Sequence, residues 1–147
     1  MKITIREAQP QDVDSVVRLI RELAEMAGEA SPITEAYAAE YLSSPISRVF
    51  LAESEGQVIG LLSYSVRPDL YHAGSSCLIE ELVVQQSERD QGVGSALLSA
   101  LLSRLEGTDC AEVSVAAMPE NAGAVQFYRQ HGLAEEALFL EKHFIRV

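Results

Sequence analysis

The chain has 147 residues, 48% of them hydrophobic, a length suited to a single domain over residues 1–147. Its formal net charge of −11 leaves no basic stripe for phosphates, which argues against nucleic acid or an anionic membrane surface as partner and suits a cationic substrate. No apolar run approaches the roughly 18 residues of a membrane span, and the N-terminus turns polar too soon for a secretory leader, so a cytoplasmic protein is expected. Cys77 and Cys110 sit in no CxxC or Cys/His grouping and read as free thiols, with no metal implied.

The first element is a strand at 2–6, where KITIR alternates. Asp12 stands where a helix would begin and its carboxylate is expected to cap the first-turn amides. From Val13 to Ala27 apolar residues recur at helical spacing, and Gly28 suits the helix end. A shorter helix is expected at 34–43, closed by Pro45. Strands at 48–53 and 57–67 flank a hairpin-like turn, Glu53-Ser54-Glu55-Gly56. CLIEELVV, 77–84, reads as a further strand, followed by a glycine turn and a helix at 93–105. A strand at 112–116 and a helix at 121–131 ending on Gly132 come next. The tail, 133–147, reads as one hairpin or two short strands. Strand-helix-strand order after residue 77 predicts parallel pairing there, beside an antiparallel first half. The fold class is therefore a mixed α/β sheet.

The glycine turn, Arg89-Asp90-Gln91-Gly92-Val93-Gly94, carries the most chemical information. Glycines let backbone approach a ligand, and first-turn amides have no internal partner. With the helix dipole they suit a phosphate, and Arg89 can add a full charge. Gly94 is followed by Ser95-Ala96, not by Lys and Ser or Thr, so this is no P-loop. Leu97 replaces the third small residue of a dinucleotide fingerprint, and Gln85 to Gln91 separate the glycines from the strand.

The paired acids in IEELVV, the glycine turn and the later NAGAVQFYRQHG segment together resemble the GCN5-related N-acetyltransferase family over essentially the whole chain. The resemblance implies an acyl-CoA N-acyltransferase fold: a mostly antiparallel central sheet with two splayed parallel strands and helices on both faces. It implies acetyl-coenzyme A as co-substrate and direct acetyl transfer to an amine in a ternary complex. By the same resemblance Leu82, Val83 and Val84 offer backbone to the pantetheine arm and the oxyanion. Arg89, Asp90, Gln91, Gly92, Val93, Gly94 and Ser95 hold the pyrophosphate. Asn121, which is also a fitting N-cap, hydrogen-bonds the coenzyme. Asp90 departs from the glycine common in the family, and its side chain is expected to point to solvent. Leu133 replaces a frequent aromatic.

Glu80 is implied as the base, with Glu81 in reserve. Adjacent strand residues point to opposite faces, so only one of the two is expected in the cleft. Tyr128 is implied as the acid for the leaving thiolate, while Phe127 packs on the sheet. His131 suits the negative end of its helix. His72, with Tyr71, is a candidate for the acceptor pocket, although a structural role suits it better; His143 stands apart. The acceptor region carries Glu22, Glu25, Glu29, Glu35 and Glu40 with Tyr37 and Tyr41, which suit a cationic amine. A small-molecule primary amine is expected. A protein N-terminus or lysine is the alternative, and a non-catalytic acyl-CoA-binding module is a reading of another class. A homodimer through the apolar tail, Ala137 to Leu140, is allowed by the sequence, as is burial of that tail in the core.

Overall fold

A computed structural model describes residues 1–146. In chain order the elements are β1 (Thr4–Glu7), a one-turn 3-10 helix (Pro10–Asp12), α1 (Val13–Met26), α2 (Glu35–Ser43), β2 (Val49–Ser54), β3 (Gln57–Asp69) and β4 (Gly74–Val84). A second 3-10 turn (Gln86–Glu88), α3 (Val93–Leu105), β5 (Cys110–Val115) and α4 (Ala122–Gln130) follow. The sheet runs β1-β2-β3-β4-β5, antiparallel throughout except for the parallel β4–β5 pair.

Helices cover both faces, as the family resemblance implies. On one face the apolar stripe of α1 buries Val16, Val17 and Leu19, and α2 adds Ala38 and Leu42, over Leu51, Leu61 and Val83. On the other, Val93, Leu97, Leu98 and Leu101 of α3 lie over Phe50, Ala52, Ile59 and Leu62. Each buried valine, leucine, isoleucine or phenylalanine among these contributes about 1.5–3 kcal/mol. Double coverage explains why β2 and β3 read as apolar runs where they cross the core. Gly60 lets α3 lie close: a Cβ there would stand 3.0 Å from Val93 Cγ1 and 3.1 Å from Leu97 Cδ1.

Two expectations fail. Asp12 precedes α1, but its carboxylate makes no cap. It turns back to accept from Arg6 Nη1 and Nη2 at 2.8 and 2.9 Å and from the Gln9 amide at 2.7 Å. A bidentate guanidinium is a stronger partner than a first-turn amide, and the Arg6 hydrogen bonds hold the Asp12 carboxyl below the usual range. The tail is the second failure. Residues 133–146 form neither helix nor strand, so the expected hairpin is absent; Val147 lies outside the described residues. The tail contains no Gly, Pro, Asn, Asp or Ser to make a hairpin turn.

Candidate active site

The strands β4 and β5 pair from Ser75↔Cys110 to Ile79↔Val115 and then part. Among the described residues, 80–84 of β4 therefore have a strand neighbour only on the β3 side, which leaves backbone groups facing the gap without a strand partner. Leu82, Val83 and Val84 lie in this splayed stretch, as the sequence reading expects.

The glycine turn closes the end of that gap. Gly92 has φ +84° and is the N-cap of α3, without a side-chain cap. The first helical bond runs from Ala96 N–H to Gly92 O at 3.0 Å. The amides of Val93, Gly94 and Ser95 precede it and have no intrahelical acceptor. A cleft of about 400 Å³ opens here. Leu82, Val83, Val84, Arg89, Asp90, Gly92, Val93, Gly94 and Ser95 line it, as do Met26, Glu88 and Phe127, which the sequence reading missed. Gln91, Asn121 and Tyr128 are not among the lining residues. Asp90 is exposed, with φ +61°, a left-handed conformation that favours glycine. Arg89 does not stand free: its Nε donates to Val84 O at 3.1 Å, and its Nη2 lies 2.8 Å from Met26 Sδ and 3.5 Å from Glu22.

The acids of β4 overturn one expectation. Ser63 pairs with Glu81, but Tyr64 pairs with Ile79, so Glu80 is the extra residue of a β-bulge. The bulge breaks the alternation that would send Glu80 and Glu81 to opposite faces. Ser63 and Ser65, two apart on β3, share a face. The Ser63 hydroxyl donates to Glu81 in a short contact, and the Ser65 hydroxyl donates to Glu80 Oε1 at 3.1 Å. Both carboxylates therefore gather on one side. Tyr41 of α2 is on that side too: burial, then the charges of Glu81 and Glu80, push its phenol above its ordinary value. Glu80 is exposed and Glu81 half-buried. The Ser63-Tyr64-Ser65 alternation, polar within an apolar strand, was the available signal for this pair.

The other wall is α4. Asn121 Oδ1 accepts the Ala124 amide at 3.2 Å and caps the helix. Phe127 faces Gly94, where a Cβ would meet its Cζ at 3.4 Å. Tyr128 lies edge-on to Phe127, centroids 5.2 Å apart, and burial pushes its phenol above 10. His131 Nδ1 lies 2.8 Å from Phe127 O at the helix end, where the dipole favours it.

The remaining candidates scatter. Glu25, Glu29, Glu35 and Glu40 are exposed. Glu22 leaves the acceptor group, since it accepts the Gln86 amide at 2.7 Å beside the glycine turn. Tyr37 and Tyr41 lie 6.4 Å apart, centroid to centroid. His72 is held at the β3–β4 turn by Asp69, which raises its pKa and which also accepts from Ser76. That turn precedes β4, whereas Glu80 and Glu81 lie well along the strand, so the structural role for His72 is the better one. Asp69, His72 and Glu112 bring ligand atoms within 4.8 Å of one another, on the surface. His143 is exposed in the tail. No helix among the described residues is long and apolar enough to cross a membrane.

Comparison with known proteins agrees with this geometry. The sequence matches the model of the Acetyltransferase (GNAT) family over residues 14–133. Aminoalkylphosphonate N-acetyltransferase of Salmonella typhimurium is 36% identical over 95 residues, 65% of this chain and 61% of that protein. The match thus spans about three fifths of that relative's length. Thialysine N-epsilon-acetyltransferase of Sus scrofa is 25% identical over 141 residues, 88% of this chain and 83% of that one. Among solved structures, an aminoglycoside acetyltransferase from an uncultured soil metagenomic sample superposes with a TM-score of 0.81 at 20% identity, covering 99% of this chain and 100% of that one. A Bacillus halodurans protein described as a transcriptional regulator superposes at 0.84 and 23% identity, covering 97% and 100%. Similarity at that identity speaks for the fold, and the family match carries the rest: the chain belongs to the GNAT family of acetyl-coenzyme A-dependent N-acetyltransferases.

Proposed function

We propose that the protein acetylates a primary amine of a small molecule, with Glu80 as base and Tyr128 beside the leaving sulfur. One observation carries the reading: the splayed gap after Ile79 joins the open amides of α3 at one end and the Glu80–Glu81 pair at the other. The cleft suits acetyl-coenzyme A. Its pyrophosphate would lie on the amides of Val93, Gly94 and Ser95, and its arm along residues 82–84. Bound there, it supplies an acetyl group activated as a thioester. Asp90 would weaken the site electrostatically, while its exposure limits the effect.

The residues divide the proton work. The amine must shed a proton, and Glu80, held by the one Ser65 hydrogen bond and open to solvent, is the freer acceptor. Glu81, held by the Ser63 hydroxyl, is placed to attract the ammonium. Tyr128 keeps its proton, because burial holds its phenol above 10. It serves a departing sulfur as a hydrogen-bond donor, since full transfer to a thiolate of pKa about 8.5 would run uphill. Backbone amides of the splayed stretch meet the developing negative charge.

The carboxylate pair also bears on the acceptor. An amine whose remainder is neutral or cationic suits it better than one carrying a phosphonate, the substrate type named for the Salmonella relative. The test is thiol release from acetyl-coenzyme A with a panel of alkylamines, diamines and aminoalkylphosphonates of matched length. Diamines should turn over fastest. Faster turnover of the phosphonates would overturn the assignment of the pair. Binding of acetyl-coenzyme A with no turnover of any amine, peptide N-termini and lysines included, would favour a binding module.

A further inference from the structure

We infer that Glu22 of α1 is a positioning residue for the co-substrate cradle: it holds the chain between β4 and α3 so that the open amides of α3 stand where a pyrophosphate can rest. The inference rests on reading the cleft as the acetyl-coenzyme A site. Residues 85–91 link the end of β4 to Gly92, and the one-turn 3-10 helix Gln86–Glu88 is their only helical or strand structure. Such a link would spend binding energy on its own ordering unless something held it beforehand. α1 supplies the hold. Arg18, Glu22 and Met26 recur at every fourth position, so they form one row along the helix, beside the apolar stripe that buries Val16, Val17 and Leu19. Arg18 Nη1 donates to Gln85 Oε1 and its Nη2 to Val58 O, both at 2.8 Å. Glu22 Oε1 accepts the Gln86 amide at 2.7 Å. The same oxygen lies 3.5 Å from Arg89 Nη2, which is 2.8 Å from Met26 Sδ. Arg89 Nε donates to Val84 O at 3.1 Å, so the far end of the link is tied back to β4 as well.

Glu22 is the centre of this row. One of its carboxylate oxygens serves both the first amide of the 3-10 turn and the guanidinium that follows the turn, so the bend 86–89 closes on a single acceptor. The chain reverses directly afterwards, with φ +61° at Asp90 and φ +84° at Gly92. The direction in which α3 starts, and with it the aim of its first amides, therefore depends on where Arg89 stands. Arg89 serves from the wall of the cleft: its guanidinium turns to α1 and β4, and the Glu22 carboxylate offsets its charge. Charge alone argues against Glu22 at this place. A carboxylate beside a site for an anion repels that anion, and removing it would tighten binding. Positioning and charge thus predict opposite signs for the loss of the side chain.

Two variants make the test. Glu22→Ala removes both the acceptor and the charge, whereas Glu22→Gln removes the charge and keeps an acceptor for the Gln86 amide. In isothermal titration Glu22→Ala should raise the Kd of acetyl-coenzyme A about tenfold, the effect of losing one charged hydrogen bond. Glu22→Gln should restore most of that affinity. In steady-state kinetics the loss should fall on the KM for acetyl-coenzyme A and not on kcat. Acetylpantetheine carries the same thioester and arm without the pyrophosphate, so its KM should be the same in the wild type and in Glu22→Ala. Hydrogen exchange of the Gln86 amide should quicken in Glu22→Ala alone. Tighter or unchanged binding of acetyl-coenzyme A by Glu22→Ala would overturn the inference, and so would an equal rise in the KM for acetylpantetheine. A wild-type KM no lower for acetyl-coenzyme A than for acetylpantetheine would overturn the cradle reading itself, and the role of Glu22 with it.

Discussion

Replacing Gly94 by alanine separates a pyrophosphate cradle from an ordinary turn, because the two readings predict different responses to ligand. A Cβ at this position would lie 3.4 Å from Phe127 Cζ, 3.6 Å from Cε1 and 3.9 Å from Val84 Cγ2, which is ordinary van der Waals contact. The unliganded protein should accept the methyl and gain from it. Glycine in a helix costs up to about 1 kcal/mol relative to alanine, and about half of that is reasonable for the first turn. The melting temperature should then rise by about 1–2 °C, at about 3 °C per kcal/mol for a domain of this size. The same methyl stands between Val84 and Phe127, which both line the cleft. A ligand resting on the Gly94 backbone should lose at least tenfold in affinity, about 1.4 kcal/mol. Acetyl-coenzyme A at about a hundred times the wild-type Kd stabilises that protein by about 2.7 kcal/mol, and at ten times the variant's Kd by about 1.4. Differential scanning fluorimetry should therefore show a higher unliganded midpoint and a ligand shift cut by half. An undiminished ligand shift would refute the cradle. A lower unliganded midpoint would refute the packing argument.

Three further outcomes are expected. Glu80→Gln should lower kcat by about 10²–10⁴-fold, the range for loss of a general base, and leave the acetyl-coenzyme A Kd unchanged. Glu81→Gln should act mainly on the KM of the amine, and the reverse pattern in steady-state kinetics would exchange their roles. Burial pushes the Cys77 thiol up to about 12, so at pH 8 only about one molecule in 10⁴ carries its thiolate. Mass spectrometry after iodoacetamide should therefore find Cys110 alkylated first and Cys77 only on unfolding; equal rates would count against the burial. Arg6→Met leaves the Asp12 carboxylate, 9% exposed, without its guanidinium and should cost about 2–3 kcal/mol in denaturant titration at pH 7. The depressed Asp12 pKa contributes stability that is present above its ordinary 3.8 and is lost as pH falls through the folded value. The wild-type advantage over the variant should shrink in acid on that course, and a pH-independent difference would remove Asp12 from the explanation.

What the sequence disclosed follows from what each pattern physically encodes. The stripe of α1 and the apolar runs of β2 and β3 record burial on one face or two, and the elements lie within a few residues of expectation. The glycine turn was legible because Gly92 needs positive φ and Gly94 admits a close neighbour. Asp12 was misread because cap preference is local, whereas the Arg6 that claims its carboxylate lies in a strand placed by the sheet. The tail was misread because its apolar residues of strand type were given weight although no turn residue divides them into two strands. His72 was legible as structural, but the Asp69 beside it was not singled out.

The Glu80–Glu81 pair was unreadable for a different reason. Period-two alternation holds only while every residue of a strand has an opposite number, and the one extra residue lies where the two acids meet. No glycine marks it. A bulge also bends its strand and increases the local twist. Pairing with β5 stops at Ile79, the residue just before the bulge. The two facts have one cause if β5 cannot follow β4 past the bend. A single inserted residue then both gathers the carboxylates on the face bearing Ser63 and Ser65 and frees the backbone of 80–84 that leads to the open amides of α3. On this account the proposed base and the proposed bed for the co-substrate are two consequences of one irregularity in β4. That is why the alternation of the central strand predicted opposite sides for two acids that the bulge brings to one.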